Sequence, residues 1–546
     1  MSSILSAIVM ASALSFGSPV NYPLSLAGNY GEPRPNHFHG GIDVRTGNAV
    51  GKPVFSIADG YVSRITVGLS GFGNAVYVTH PGGYTSVYCH LDKFVPQLSA
   101  MVRKWQYKNE SYIADVRLKP TDFPVSQGQF IAVSGNTGAS TAPHLHLELH
   151  DTRTGDMLDP LDVLKQYVKD TTPPIAHSFM AYPLEGEGVF MGASHKQTYG
   201  FSSANLTREF TAWGKVGFGI WANDYMEDSF GRLGIRRTTL TVDGKVVFSS
   251  DVDRIPVRLN RYVNSWGDYK HFCRTGVWFM KSFAEPGNML PIIHTDGNRG
   301  YVDFNEERVY RLVYTISDIF GNTRQYTFSV HGKKQSIQAR RKSASPYIMK
   351  YDKVNILRID GVRLILLQDM LADDIELVPK RTSRPGKVSD SYTFYGSSYP
   401  LFGWAEISIK LNRAVKEPSK LYISGSYGSA GFKKCVYENG WVTGKMRELG
   451  ASYIVEYDDT PPVITPGTVS GSLLRFSIYD TGSGIKSFKG YVDGGFVLFE
   501  KLEKSNVIQC RLSDVPVKKT GGEHRLKLVV TDNCGNSAAY NTNFKY

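Results

Sequence analysis

Residues 144–150 read His-Leu-His-Leu-Glu-Leu-His. A period of two belongs to a β-strand, whose successive side chains point to opposite faces, so His144, His146, Glu148 and His150 share one side and Leu145, Leu147 and Leu149 the other. The leucine side demands a sheet with a core beneath it. The opposite side of a half-buried strand ordinarily carries Thr, Ser, Lys or Glu, whereas this one aligns three imidazoles with a carboxylate. That pattern asks for a metal or a proton-transfer site.

The same short period recurs along the chain. "GKPVFSIADGYVSRITVG", "GNAVYVTHPGGYTSVYCHL" and "GQFIAVSGNTG" are brief β-branched and aromatic runs separated by Gly turns, which predicts antiparallel sheet through residues 19–167. One segment breaks the rule: Phe94, Leu98, Met101, Val102 and Trp105 recur at three- and four-residue steps and predict a helical insertion that packs one face on the sheet. A boundary follows at "KDTTPPIAHS", echoed by "YDDTPPVITP" further on. After each copy come an Asp at a strand end, a Gly-Ile pair, a V-D-G turn and a late strand ending in Asp and Gly-Asn. The repeat predicts immunoglobulin-like β-sandwiches over 172–333 and 458–546, bracketing a β-rich module over 336–457. The Asp residues of the repeat are expected to cap turns rather than bind calcium, since no loop has EF-hand spacing. The fold class is therefore all-β, an antiparallel sheet domain with a helical insertion followed by three sandwich modules; 546 residues exceed what one core organises.

Charge and cysteine content narrow the partners. The net charge of +12 suits an anionic polymer. Nucleic acid is not expected, because the basic residues are scattered, the dense run at 332–342 reads as a solvated linker, and no zinc-finger or RRM-like signature occurs. Five cysteines without a C-x-x-C pair make no disulfide scaffold; only Cys510 and Cys534 share a predicted module, where they either bridge or stay separate thiols. Residues 1–18, with an apolar stretch from Ile4 to Leu14 before small residues, suggest a signal peptide without its basic start, hence export to the periplasm or cell envelope. No later apolar stretch approaches the ~20 residues of a transmembrane helix.

Seven of the 13 histidines lie between His37 and His150, which locates the chemistry in the first domain. In "NHFHGGIDVRTG", His39 and Asp43 flank two glycines that let the chain curl until imidazole and carboxylate converge on one ion. A third ligand from "HLH" gives two nitrogens and one oxygen, with a fourth position left for water, the open arrangement of catalytic zinc. No H-E-x-x-H helix supplies a Glu base, so the other histidine of "HLH" is placed to take the proton. His90, in "YCHL", is a candidate donor to an oxyanion.

"HFHGGID", "GKPVFSIADGYV", "YCHL" and "GNTGASTAPHLHLELHD" together resemble the LytM/lysostaphin-type zinc peptidases, marked by H-x-x-x-D, a later His, and H-x-H after an S-G-N/S-T-G turn. The resemblance covers about residues 25–163 and implies a peptidoglycan endopeptidase with one Zn2+ per chain. It makes His39, Asp43 and His146 the metal ligands, His144 the general base and His90 the group that stabilises the tetrahedral intermediate. Tyr30 stands where family members often carry an upstream Tyr, and the insertion at 93–124 departs from the shorter members. Around this core, His37 reads as a groove or supporting residue, His80 and His150 as structural or solvent-facing, Glu148 as either an orienter of a ligand imidazole or a strand-end carboxylate, and Arg34 as a substrate-carboxylate or surface ion-pair partner. The expected function is zinc-dependent hydrolysis of peptidoglycan peptide cross-links, with wall or protein partners for the modules. The alternative is a catalytically silent or autoinhibited envelope protein that regulates other wall hydrolases or serves as an adhesion scaffold.

Overall fold

The structure is a computed structural model that describes residues 15–227, 231–426 and 434–546. Most of the expected signal peptide lies outside the described residues. The described residues divide into two compact units: 15–27, 41–103 and 113–169 form one, and 28–40, 104–112, 170–227, 231–426 and 434–546 the other.

The first unit is built on a twisted antiparallel sheet. Its strands are β1 (Leu26–Gly28), β2 (Gly41–Arg45), β3 (Gly60–Val67), β4 (Ala75–His80), β5 (Tyr84–Cys89), β6 (Ala114–Arg117) and β7 (His144–Asp151), in the order β1-β2-β7-β5-β4-β3-β6. The alternating histidine strand is β7, and it is central, pairing with β2 on one side and β5 on the other. Being central gives this strand neighbours on both edges, and both of its faces are covered here: Leu145, Leu147 and Leu149 are buried on one, His146 and Glu148 on the other. The predicted helix is α1 (Pro96–Asn109), with Leu98 and Val102 buried at their four-residue spacing.

Residues 28–40 hold a small hairpin in which Pro33 pairs with Phe38 and Arg34 with His37. It packs within the second unit. Asn29 exchanges two hydrogen bonds with the Gly234 backbone (2.9 and 2.7 Å), the Phe38 amide donates to Asn260 Oδ1 (2.6 Å), and Asn36 and Asn264 exchange bonds of 3.1 and 3.2 Å. The Phe38 ring lies 6.0 Å from that of Trp266.

Beyond residue 170 the chain is strand after strand. Ile175–Phe190, Phe210–Asn223, Arg237–Val242, Lys245–Asp251, Val309–Ser317 and Thr323–Gly332 belong to one hydrogen-bonded sheet, in which Phe210–Ala212 runs parallel to Val330–Gly332 and the rest of these pairings are antiparallel. Its core is aromatic, with Phe179 stacked on Phe328 (4.3 Å) and edge-on to Phe210. Residues 346–458 form a five-stranded and a four-stranded sheet around a shared core that includes Leu364, Ile407 and Tyr453. The last segment sets two four-stranded sheets about Phe476, Ile508, Leu528 and Phe544. All five cysteines are free thiols; Cys510 is buried in this last core and forms no bridge to Cys534. Among the described residues no helix is long and apolar enough to cross a membrane.

Candidate metal centre

The register of three strands assembles the site. β7 is paired with β2 so that His146 faces Asp43 and His144 faces Arg45, while β5 sets Cys89 opposite His146 on the other edge. Gly41, opposite Glu148, must be glycine for a reason the sequence does not reveal: a Cβ there would sit 2.1 Å from the Leu147 carbonyl oxygen. Close approach of two strands, rather than a curl of the chain, is what the glycine permits.

His39, Asp43 and His146 each offer a ligand atom, and these atoms all lie within 4.8 Å of one another. All three residues are buried. The remaining ring nitrogens are held as metal ligands require. His39 Nδ1 bonds the Asn29 carbonyl at 2.6 Å, which leaves Nε2 as the lone-pair nitrogen. His146 bonds Glu148 Oε1 through Nε2 at 2.9 Å and Asp43 Oδ1 through Nδ1 at 2.7 Å, so Nδ1 is the nitrogen whose proton a metal ion would replace. Two nitrogens and one carboxylate oxygen form a donor set suited to zinc. Burial disfavours the His146 imidazolium, but the hydrogen bonds and charges of Asp43 and Glu148 outweigh it and lift the pKa to about 9. Burial pushes Glu148 toward its neutral acid, yet its bonds to His146 and His150 hold it well below the usual carboxylate range.

Glu148, which the sequence left between two readings, holds the His146 imidazole by a hydrogen bond. Its second oxygen accepts from His150 Nε2 at 2.6 Å, so His150 is neither isolated nor simply solvent-facing.

Two further imidazoles border the cluster. His144 Nε2 is 3.3 Å from Asp43 Oδ1, and its Nδ1 bonds the Ala142 carbonyl at 2.8 Å. The ring of His90 lies 4.9 Å from that of His144 and 5.7 Å from that of His146. His90 follows β5 with φ of 59°, a left-handed conformation that costs a non-glycine residue ~1 kcal/mol and recurs at functional positions. Its Nδ1 bonds the Thr137 carbonyl at 2.8 Å, in the S-G-N-T-G turn. That turn is tight because Gly138 meets Gly73 backbone to backbone; a Cβ on Gly138 would lie 2.4 Å from the Gly73 amide nitrogen. Burial, then the neighbouring His146 and His144, push the His90 pKa down to about 4, so its ring is neutral at pH 7. A neutral ring that donates from Nδ1 presents a lone pair at Nε2, so His90 must gain a proton before it can donate to an oxyanion.

The other histidines separate cleanly. His80 is a satisfied core residue, bonded to the Asp59 carbonyl (2.8 Å) and Ser86 Oγ (2.7 Å). His37 is exposed and bonds the Pro35 carbonyl at 3.0 Å, outside the metal cluster. Arg34 reaches Glu32 at 3.5 Å, the ion-pair reading of that residue.

Residues 37–107, which contain His39, Asp43 and His90, match the model of peptidase family M23. Over 125 residues the chain is 34% identical to an uncharacterized metalloprotease of Haemophilus influenzae, covering 23% of this chain and 21% of that protein. The amino-terminal region is an M23 peptidase domain. Over 111 residues the chain is 35% identical to the peptidoglycan DD-endopeptidase ShyA of Vibrio cholerae, 20% of each protein. The chain therefore spans about a fifth of the length of these curated relatives. The catalytic domain of lysostaphin from Staphylococcus simulans is 26% identical over 27% of this chain and 93% of that domain, with a TM-score of 0.20. Outside the M23 domain, residues 346–458 match a Zu5-like domain.

Proposed function

We propose that this chain is an exported zinc endopeptidase that hydrolyses peptide cross-links of bacterial peptidoglycan, with His39, Asp43 and His146 holding one Zn2+. The observation that carries the reading is the donor set itself: two imidazoles and a carboxylate converge, and the off-metal nitrogens are already fixed by Asn29 and Glu148. Zinc bound there supplies Lewis acidity toward a water molecule and toward the carbonyl of the scissile bond.

The rest of the chemistry falls to the chain's own side chains. His144, whose Nδ1 donates to Ala142, presents the lone pair of Nε2 toward the cluster and takes the proton of the attacking water. It then returns that proton to the leaving amine. His90, neutral with its lone pair at Nε2, accepts the water's other hydrogen there, orients the water for attack, and keeps that hydrogen bond to the hydroxyl of the tetrahedral intermediate. Glu148 keeps His146 in the tautomer that offers Nδ1. The carboxy-terminal modules anchor the enzyme on the wall polymer or on protein partners, and a positive surface suits an anionic polymer.

The test is digestion of cross-linked peptidoglycan by the zinc-loaded chain beside His144→Ala, with products resolved by mass spectrometry. Products formed only by the intact protein support the reading and name the bond. Zinc bound at one per chain with no products from either protein would replace it with the regulatory or scaffold alternative.

A further inference from the structure

Among the described residues, two further clusters of carboxylates lie outside the candidate metal centre, one in each copy of the repeat. Asp170, Asp224 and Asp318 bring one carboxylate oxygen each within 4.8 Å of one another, and Asp458, Asp480 and Asp532 do the same. The positions correspond one to one. Asp170 and Asp458 each precede Thr-Pro-Pro by one residue, Asp224 and Asp480 follow a long strand, and Asp318 and Asp532 open the turn before Gly-Asn. The supporting bonds also correspond. Asn322 Nδ2 joins Asp318 Oδ2 (2.7 Å) to the Asp170 carbonyl (3.2 Å), just as Asn536 Nδ2 joins Asp532 Oδ2 (2.7 Å) to the Asp458 carbonyl (2.8 Å). Each triad is therefore held open by the same amide brace.

Turn capping, the role expected from sequence, uses only part of these carboxylates. Asp318 Oδ1 accepts from the Gly321 and Asn322 amides (2.8 and 2.9 Å), and Asp480 Oδ2 from Gly482 and Gly484 (3.1 and 2.6 Å). Asp170 Oδ2, Asp224 Oδ1 and Asp480 Oδ1 are buried with no hydrogen-bond partner. Asp224 is 1% exposed and Asp170 7%. Two of these unpaired oxygens belong to the first triad and one to the second; a buried, unpaired carboxylate oxygen is costly, and carboxylates gathered this closely repel. Burial first, and then the neighbouring Asp170 and Asp318, push the Asp224 carboxyl up to about 8. Oxygens that lie within 4.8 Å of one another are close enough to share one calcium ion at about 2.4 Å each. With oxygen donors alone, the set suits a hard cation and not zinc.

We propose that each triad is a calcium site, one per repeat module, and that calcium fixes the loops at that end of each module. The experiment uses the full zinc-loaded chain in buffer stripped of calcium by a chelating resin, titrated with CaCl2 in a calorimeter and followed by thermal unfolding. Two ions per chain are expected, one for each cluster. The Tm should rise by about 5–10 °C at saturation. Asp224→Asn and Asp480→Asn should each retain one site, and the double variant none. Relieved of repulsion, the variants should melt no lower than the parent without calcium. No binding by the parent up to ~10 mM calcium overturns the proposal, that being beyond the range of extracellular calcium modules. A stoichiometry of one, calcium binding that survives in the double variant, or an equal response to magnesium overturns it as well.

Discussion

Replacing Glu148 should loosen the metal without removing a ligand. Its carboxylate is buried and accepts from His146 Nε2 at 2.9 Å and His150 Nε2 at 2.6 Å. In Glu148→Ala the His146 ring loses the acceptor that selects its tautomer, and its Nε2–H is left in a buried place, a loss of about 1–3 kcal/mol for such a group. Carried into metal binding, that range equals roughly 10–100-fold in affinity, the usual scale for a carboxylate behind a ligating imidazole. Glu148→Gln keeps one acceptor oxygen for His146 and should fall less than about tenfold. The assay is competition for zinc against a chromophoric chelator, with circular dichroism to verify the fold. A folded Glu148→Ala protein whose zinc affinity stays within about twofold of the parent would refute the argument that Glu148 sets the His146 tautomer.

Gly41→Ala forces a Cβ to within 2.1 Å of the Leu147 carbonyl, so β2 and β7 must separate. A stability loss of at least ~1–3 kcal/mol, read by denaturant unfolding, and weakened zinc binding should follow together. His144→Ala should lower kcat by ~10²–10⁴ while metal analysis still finds zinc bound, since the ring acts on protons and is not in the ligand set. Removing the metal by dialysis against a chelator should abolish peptidoglycan cleavage and lower the Tm, and zinc added back should restore both. Phe179→Ala removes a fully buried ring stacked on Phe328 and should cost ~3–5 kcal/mol in chemical denaturation.

What could be read in advance was whatever depends on local period or spacing. The strict alternation of His144 to His150 announces a strand and a functional face, because a period of two leaves no other regular element. His39 and Asp43 lie close enough in sequence to suggest a shared ion, and Leu98 with Val102 marks the helix. Relations between distant segments were not readable. Glu148 has the same place in the pattern whether it orients His146 or simply ends a strand; only the 2.9 Å contact decides. The hairpin of residues 28–40 has strands of two residues each, too short to show alternation. The Asp residues of the repeat were visible singly, but their convergence depends on strand pairing across each module. The direction of the His90 dipole was hidden as well, since it follows from a bond to the Thr137 carbonyl in another loop.

The hairpin that ends at His39 has a practical consequence. Asn29, Asn36 and Phe38 are tied to Gly234, Asn260 and Asn264, all far beyond the M23 homology. A chain cut after residue 167 keeps His39, Asp43, His90, His144 and His146, but it discards the residues that hold the backbone immediately before His39. Such a fragment would look complete when aligned with shorter peptidases and yet start from a loosened His39. An inactive truncation of this kind would report on that missing support before it reported on the chemistry proposed for the intact chain.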